Sequence, residues 1–334
     1  MFLLVVELLR LQADTSRSRK AAFSTGTSKN LAVQFKTFLI FCLYFKLSPL
    51  PASMNTVSLY AQFLSRSFKA VSSIKNYVNG VRILHLSLDV CFPTLDFSFR
   101  LLLRGLGRLK PHEEKHALPV THKLLRRIFS VLDLTDSCHR ALWACYLVSF
   151  FLFARKSNVV PPSDKEFDAR KHLTRGDIRR SDSGLVVLIK WSKTIQFGER
   201  HLLVPLLELP GSPLCPRYAF DFMADRIDSP PEGPAFTFRD TKGGVKSLTH
   251  NIMVNSFRQL LRRAGIDPVG YSGHSFRRGG ASCAFQAGVP GELIQLHGDW
   301  RSDAYLKYLA VPMQHRLQVT HRMRSFILNS GSDG

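Results

Sequence analysis

The chain has 334 residues, a length that accommodates about two domains. Lys and Arg number 46 against 25 Asp and Glu, a formal charge of +21, and 45% of the residues are hydrophobic. The apolar content suffices for sizeable cores and excludes a disordered chain, while the charge points to a polyanionic partner whose neutralisation releases counterions.

The N-terminal run MFLLVVELLRL is apolar but is interrupted by Glu7 and Arg10. It is too short to span a bilayer and lacks the basic lead of a signal peptide, so it reads as a helix or a dispensable extension. Residues 12–30 are rich in Ser, Thr, Arg and Lys without apolar periodicity, so 1–30 is expected to be a flexible basic arm. LAVQFKTFLIFCLYFKL, from Leu31, is apolar all round and predicts a well-buried helix, closed by the turn SPLPAS. NTVSLYAQFLSRSF predicts a second helix capped by Asn55 or Thr56. SSIKNYVNGVRILHLSL predicts a third, starting near Ser72 or Ser73, and FSFRLLLRGLGRLK a fourth. Residues 31–107 thus read as a small all-helical domain. The polar stretch RLKPHEEKHALP, 108–119, holds two prolines and reads as an interdomain linker, with a second domain over 120–334.

The second domain opens with a helix in VTHKLLRRIFSVL and a more buried one in HRALWACYLVSFFLFARKS. LVVLIKW and RHLLVPL then change the period, predicting a β-hairpin with the long connection SKTIQFGE. Helices return in SPLCPRYAFDFMADRI, THNIMVNSFRQLLRRAG, HSFRRGGASCAFQAG, GELIQLHG and SDAYLKYL. The fold class expected is mainly α with a small β-hairpin or sheet. Six cysteines without a C-x-x-C pair, several in apolar runs, read as reduced buried thiols of an intracellular protein. No other stretch reads as membrane-spanning, and no membrane partner is expected.

GYSGHSFRRGGAS is the sharpest local signal. His274 and Arg277 stand three apart at a helix start, so both can face one point where free amides already favour an anion. Alone, the pair is equally a basic helix start with small residues for packing. In LHGDWRSDAYLKYL, Trp300 can pack its ring and offer its indole N–H, and Tyr305 and Tyr308 are i, i+3 neighbours. Read alone, such tyrosines are as readily core-edge residues. Zinc ligation by His274 and His297 is disfavoured, since no cysteine or carboxylate cluster accompanies them.

The order Arg155, Lys193, His274-x-x-Arg277, Trp300, Tyr308 resembles the tyrosine recombinase (phage integrase) family over nearly the whole chain. RKSN, SGHSFRRGGAS and GDWRSDAYLKY are most similar to eukaryotic mobile-element recombinases of the Crypton and DIRS types. The resemblance makes 31–107 a core-binding domain and 120–334 a catalytic domain that together clamp duplex DNA. It implies site-specific recombination through a covalent 3′-phosphotyrosine, a synaptic homo-tetramer, and a nuclear location.

By the same resemblance Arg155 and Arg277 are the two arginines that hold the non-bridging oxygens of the attacked phosphate. Lys193 matches the lysine that protonates the departing 5′-oxygen, with Lys190 as runner-up because the hairpin register is open. His274 matches the general acid/base, Trp300 a donor to a non-bridging oxygen, and Tyr308 the nucleophile. Because the covalent bond conserves the phosphodiester energy, neither ATP, metal nor other cofactor is implied, and no G-x-x-x-x-G-K-[ST] loop occurs. Two departures stand out. Trp300 and Tyr308 are one residue closer than the common pattern, which leaves Tyr305 open, and Asn158 stands where an acid is usual. A non-catalytic DNA-binding descendant and a type I tyrosine topoisomerase remain the alternatives.

Overall fold

A computed structural model of the chain describes residues 2–113, 116–195, 199–309 and 313–330. The chain divides into two compact units, Met1–Glu114 and Lys115–Gly334. This division falls inside the polar stretch 108–119.

The first unit holds five helices: α1 (Phe2–Ala21), α2 (Thr25–Tyr44), α3 (Met54–Leu64), α4 (Val71–Ser87) and α5 (Phe97–Leu109). Its core gathers Phe38, Phe41, Tyr60, Ile74, Val78, Val81 and Phe99 from α2 to α5. Phe38 and Phe41 both lie 5.1 Å from the Tyr60 ring. The buried His85 ties the turn before α3 to α4: Ala52 N donates to Nε2 at 2.9 Å, so the proton sits on Nδ1, which donates to Val81 O at 2.8 Å.

Four expectations change here. Helix α2, expected to be buried all round, buries only the face of Leu31, Gln34, Phe38, Phe41 and Cys42 and leaves Val33, Leu39, Ile40 and Leu43 exposed. The segment 1–30, expected as a flexible arm, is helical over Phe2–Ala21, and α2 starts at Thr25 under a Ser24 cap. Helix α1 has no apolar stripe for sequence periodicity to register: Leu8, Leu9 and Leu11 are all exposed, and Glu7–Arg10 and Asp14–Arg17 pairs lie along its surface. Finally, Ser53 caps α3, two or three residues before the expected positions, and α4 starts at Val71 with no side-chain cap.

The second unit is built round α7 (Ser137–Phe151), buried on every side from Ala141 to Phe150. The shorter α6 (His122–Phe129) precedes it, and α8 (Lys156–Val159) follows. Strands β1 (Ile178–Ser181), β2 (Gly184–Ile189) and β3 (Leu202–Leu207) form an antiparallel sheet with Val187 opposite both Ile178 and Val204. The expected hairpin is therefore the β2–β3 pair of a three-stranded sheet. Pro205 sits in β3, an edge strand, where a missing N–H costs no ladder bond. Helix α9 (Pro216–Ala224), a small β4 (Thr237–Arg239) and β5 (Val245–Ser247) hairpin, and α10 (His250–Arg263) complete the shell. They lead to α11 (His274–Gln286), α12 (Gly291–His297), a 3-10 helix at Asp303–Tyr308, and α13 (Met313–Ser330).

Helix α11 is seated by aromatics and small residues. Phe276 stacks on Tyr146 of α7 at 5.0 Å and meets Phe257 of α10 at 4.8 Å, while the Tyr146 hydroxyl donates to Met253 O at 3.0 Å. A Cβ on Gly279 would stand 1.9 Å from Val120 O, and one on Gly280 2.1 Å from Phe150 O. Only glycines allow this approach. Val120 N also donates to Ser275 O, and Leu118 N to Gly270 O. The stretch 116–120 therefore runs along the first turn of α11.

All six cysteines are free. Cys42, Cys145 and Cys215 are buried as expected, whereas Cys91 is exposed. Among the described residues no helix is long and apolar enough to cross a membrane.

Candidate functional site

The end of α7, the start of α11 and the segment 298–308 converge on the guanidinium of Arg277. Arg155 is half-buried just ahead of α8, with extended backbone (φ −79°, ψ 142°), so it opens the next element rather than closing the long helix. Arg277, one turn into α11, is 2% exposed. Its fork is fixed by two carbonyls, Phe153 O and Gly298 O, the latter at 2.7 Å. Phe153 (φ 47°) and Asp299 (φ 53°), which follows Gly298, both hold left-handed backbone, an uncommon state for a bulky phenylalanine. The strained turns are those that present the two carbonyls to Arg277.

The indole of Trp300 lies under the guanidinium, 3.7 Å from ring centroid to Cζ, and the Tyr308 ring lies 5.5 Å from the same carbon. Trp300 and Tyr308 rings are 5.5 Å apart. Two donors in this cluster, Arg277 Nε and Trp300 Nε1, are buried without a hydrogen-bond partner. Buried donors are normally satisfied, so an acceptor that entered this cluster would meet two donors with no protein partner.

His274 begins α11 on the rim of a cavity of about 360 Å³ that it shares with His116, Ala117, Ser272, Arg278, Lys307 and Tyr308. Loss of water from part of the ring, together with the nearby Arg155, Arg277 and Lys156 cations, holds its pKa below the ordinary histidine value. Burial and the neighbouring Arg155 also lower that of Arg277, although a guanidinium stays charged at neutral pH. The cations therefore repel one another, and a dianionic or monoanionic ligand would relieve that repulsion.

Tyr305 takes another direction. A Cβ on Gly291, the first residue of α12, would stand 2.5 Å from its hydroxyl, so the phenol points to α12 and does not line the cavity of His274 and Tyr308. His297, the other histidine weighed for zinc, bonds Phe151 O at 2.7 Å and packs on Phe153. Among the described residues no group of three or more His, Cys, Asp or Glu is placed to hold a metal ion.

Lys193 stands exposed at the tip of a turn closed by the Ser192–Ile195 bridge, at the start of the β2–β3 connection. Residues 196–198 of the connection lie outside the described residues. Lys190, the runner-up, is bound to the buried Asp177 at 2.7 Å. Asn158 donates from Nδ2 to Trp191 O at 2.7 Å, a bond a carboxylate could not make. Sequence reasoning missed Asp299, which ties Ser192 and Thr194 to the Trp300 segment. The only signal for it was the hydroxyl on either side of Lys193. Arg278 and Lys307, which line the cavity and are joined by an Arg278–Lys307 O bond, were also missed.

No family model matches the chain. An integrase/recombinase xerD homolog of Selenomonas ruminantium is 23% identical over 291 residues, covering 83% of this chain and 79% of that protein. A Tn1549 transposon integrase in complex with transposon right-end DNA matches with a TM-score of 0.55 at 13% identity, over 94% of this chain and 98% of the other. The same integrase with circular-intermediate DNA gives 0.53 at 14% identity, over 93% and 98%. At these identities the structural likeness shows the fold. Mostly helical with small antiparallel sheets, it is the fold class expected from sequence.

Proposed function

We propose that this chain is a tyrosine recombinase that cleaves and rejoins duplex DNA through a 3′-phosphotyrosine at Tyr308. The observation that carries the reading is the pair of unpartnered buried donors, Arg277 Nε and Trp300 Nε1, beside the Tyr308 ring in a cluster of mutually repelling cations. A scissile phosphate would satisfy the donors and neutralise the cations together. The recombinase and integrase names of the proteins it resembles support the same assignment.

In the proposed step Tyr308 Oη attacks phosphorus and gives its proton to His274, whose depressed pKa keeps the imidazole neutral and ready to accept it. The O–P bond forms in line with the breaking P–O5′ bond, and the departing O5′ takes a proton from Lys193. Arg155 and Arg277 hold the non-bridging oxygens, and Trp300 donates to one of them. Rejoining reverses the step with an O5′ nucleophile.

The mobile-element subtype is proposed on RKSN, SGHSFRRGGAS and GDWRSDAYLKY. Assembly as a homo-tetramer on DNA is proposed on the resemblance and on two apolar features open to a second copy. Helix α13 exposes Leu317, Met323, Ile327 and Leu328, and the second unit carries an apolar groove of about 660 Å³ lined by Phe150, Phe153, Leu202, Ile294 and Leu296.

The test is covalent capture on randomised duplexes carrying a nick, so that the short cleaved strand diffuses away. Wild-type protein is expected to form an adduct that survives denaturing electrophoresis, and sequencing of the bound DNA yields the target. Tyr308→Phe is expected to form none. Absence of any wild-type adduct overturns the function, and an adduct lost in Tyr305→Phe but kept in Tyr308→Phe overturns the choice of nucleophile.

A further inference from the structure

We propose that Asp299 is a positioning residue that clamps the turn bearing Lys193 and so delivers the general acid to the leaving oxygen. This deepens the recombinase reading and rests on it. The Asp299 carboxylate is 8% exposed and accepts hydrogen bonds from Ser192 Oγ at 2.7 Å and from Thr194 Oγ1. These hydroxyls belong to the two residues on either side of Lys193, so the lysine is held at the centre of a two-point attachment. Ser192 Oγ and Thr194 Oγ1 also lie 2.7 Å apart, and Ser192 Oγ accepts from Thr194 N at 3.0 Å, which closes the turn on itself.

The far end of the same β2–β3 connection is bound to the same group. Arg200, just ahead of β3, pairs with the other oxygen of Asp299. Arg301 donates to Thr194 O and reaches Glu199 at 3.4 Å. On the opposite flank Asn158, three residues after Arg155, holds Trp191 O. The connection is thereby fastened at 191, 192, 194 and 200 to segments that carry Arg155 and Trp300.

Burying a carboxylate is costly unless its lone pairs are filled, and here Ser192, Thr194 and Arg200 fill them. Burial opposes its ionisation, but these hydrogen bonds outweigh that and hold the Asp299 pKa below the usual carboxylate value. The carboxylate therefore stays an acceptor throughout the neutral range. Its backbone is left-handed, and its neighbour Gly298 supplies the carbonyl that fixes Arg277.

The experiment exploits the leaving group. A 5′-bridging sulfur at the scissile phosphate departs as a thiolate, whose conjugate acid titrates near 8.5, about the value of a cysteine thiol, so it needs no general acid. Duplexes of the captured sequence would be cleaved under single-turnover conditions with O5′ or S5′ at that position. Asp299→Ala and Lys193→Ala are each expected to slow the oxygen substrate by about 10²-fold or more and to cleave the sulfur substrate within about tenfold of wild type. Arg277→Ala is expected to be slow on both.

A Ser192→Ala/Thr194→Val variant, which keeps the acid and removes the clamp, should match Asp299→Ala. Thermal melting checks that each variant folds. Lys193→Ala rescued by sulfur while both clamp variants stay slow on both substrates overturns the positioning role. Wild-type protein that cleaves neither duplex overturns the recombinase reading instead.

Discussion

His274 illustrates how a neighbourhood sets a residue's chemistry. Its pKa is lowered chiefly by desolvation and then by Arg155, Arg277 and Lys156, so it is neutral from below the ordinary histidine range upward. The proposed base is lost only as the pH falls through that lowered value. Single-turnover cleavage is therefore expected to stay level down through pH about 6.5, the ordinary histidine value, and to fall only below it. Lys156→Met removes one of the cations and should move the falling limb to higher pH, which a pH–rate profile reads directly. A limb that stays in place in that variant removes Lys156 from the account. At this scale Arg155, His274, Arg277 and Trp300 were named through the family resemblance and not by spacing alone; in the structure Trp300 and Tyr308 pack on Arg277, and Arg155 and Arg277 stand near His274. Asp299 was not legible, because a lone acid gives no periodic signal and its partners lie 107 and 105 residues away.

Among the elements, α7 is buried all round as its apolar run suggested, whereas α2, just as apolar in sequence, buries one face and leaves Val33, Leu39, Ile40 and Leu43 exposed, so an all-apolar run did not by itself fix burial. Strand β1 went unread: it is four residues long, and Arg179 and Arg180 face solvent, so neither length nor alternation marked it. Helix α1 was read only as one of two options over its first eleven residues; none of its described side chains is buried, so nothing marked its continuation to Ala21. Helix α11 depends on two glycines whose role is plain only once its neighbours are in place. Gly280→Ala puts a methyl 2.1 Å from Phe150 O, with the Phe153 ring at 2.4 Å. Backbone must move to admit it, and urea unfolding is expected to show a loss of about 1–3 kcal/mol. Because Phe153 O is also an acceptor of Arg277, adduct formation should fall together with stability. An unchanged unfolding midpoint would show that α11 can move away from α7 freely.

At the scale of the whole molecule, the charge of +21 suits a chain that works on phosphates, and α13 suits one that works in company. If α13 docks on a second copy, Met323→Asp/Ile327→Asp should abolish the slow-migrating protein–DNA assemblies on native gels. Covalent adducts on single nicked sites should persist, since neither residue belongs to the cluster at Arg277. Assemblies that survive both acids would place the tetramer contact elsewhere. The stretch 116–120 begins where the first unit ends, donates backbone bonds to Gly270 and Ser275, and brings His116 and Ala117 to the cavity of His274 and Tyr308. A substitution in this stretch is therefore felt at the rim of that cavity, since the same few residues both brace the start of α11 and line it.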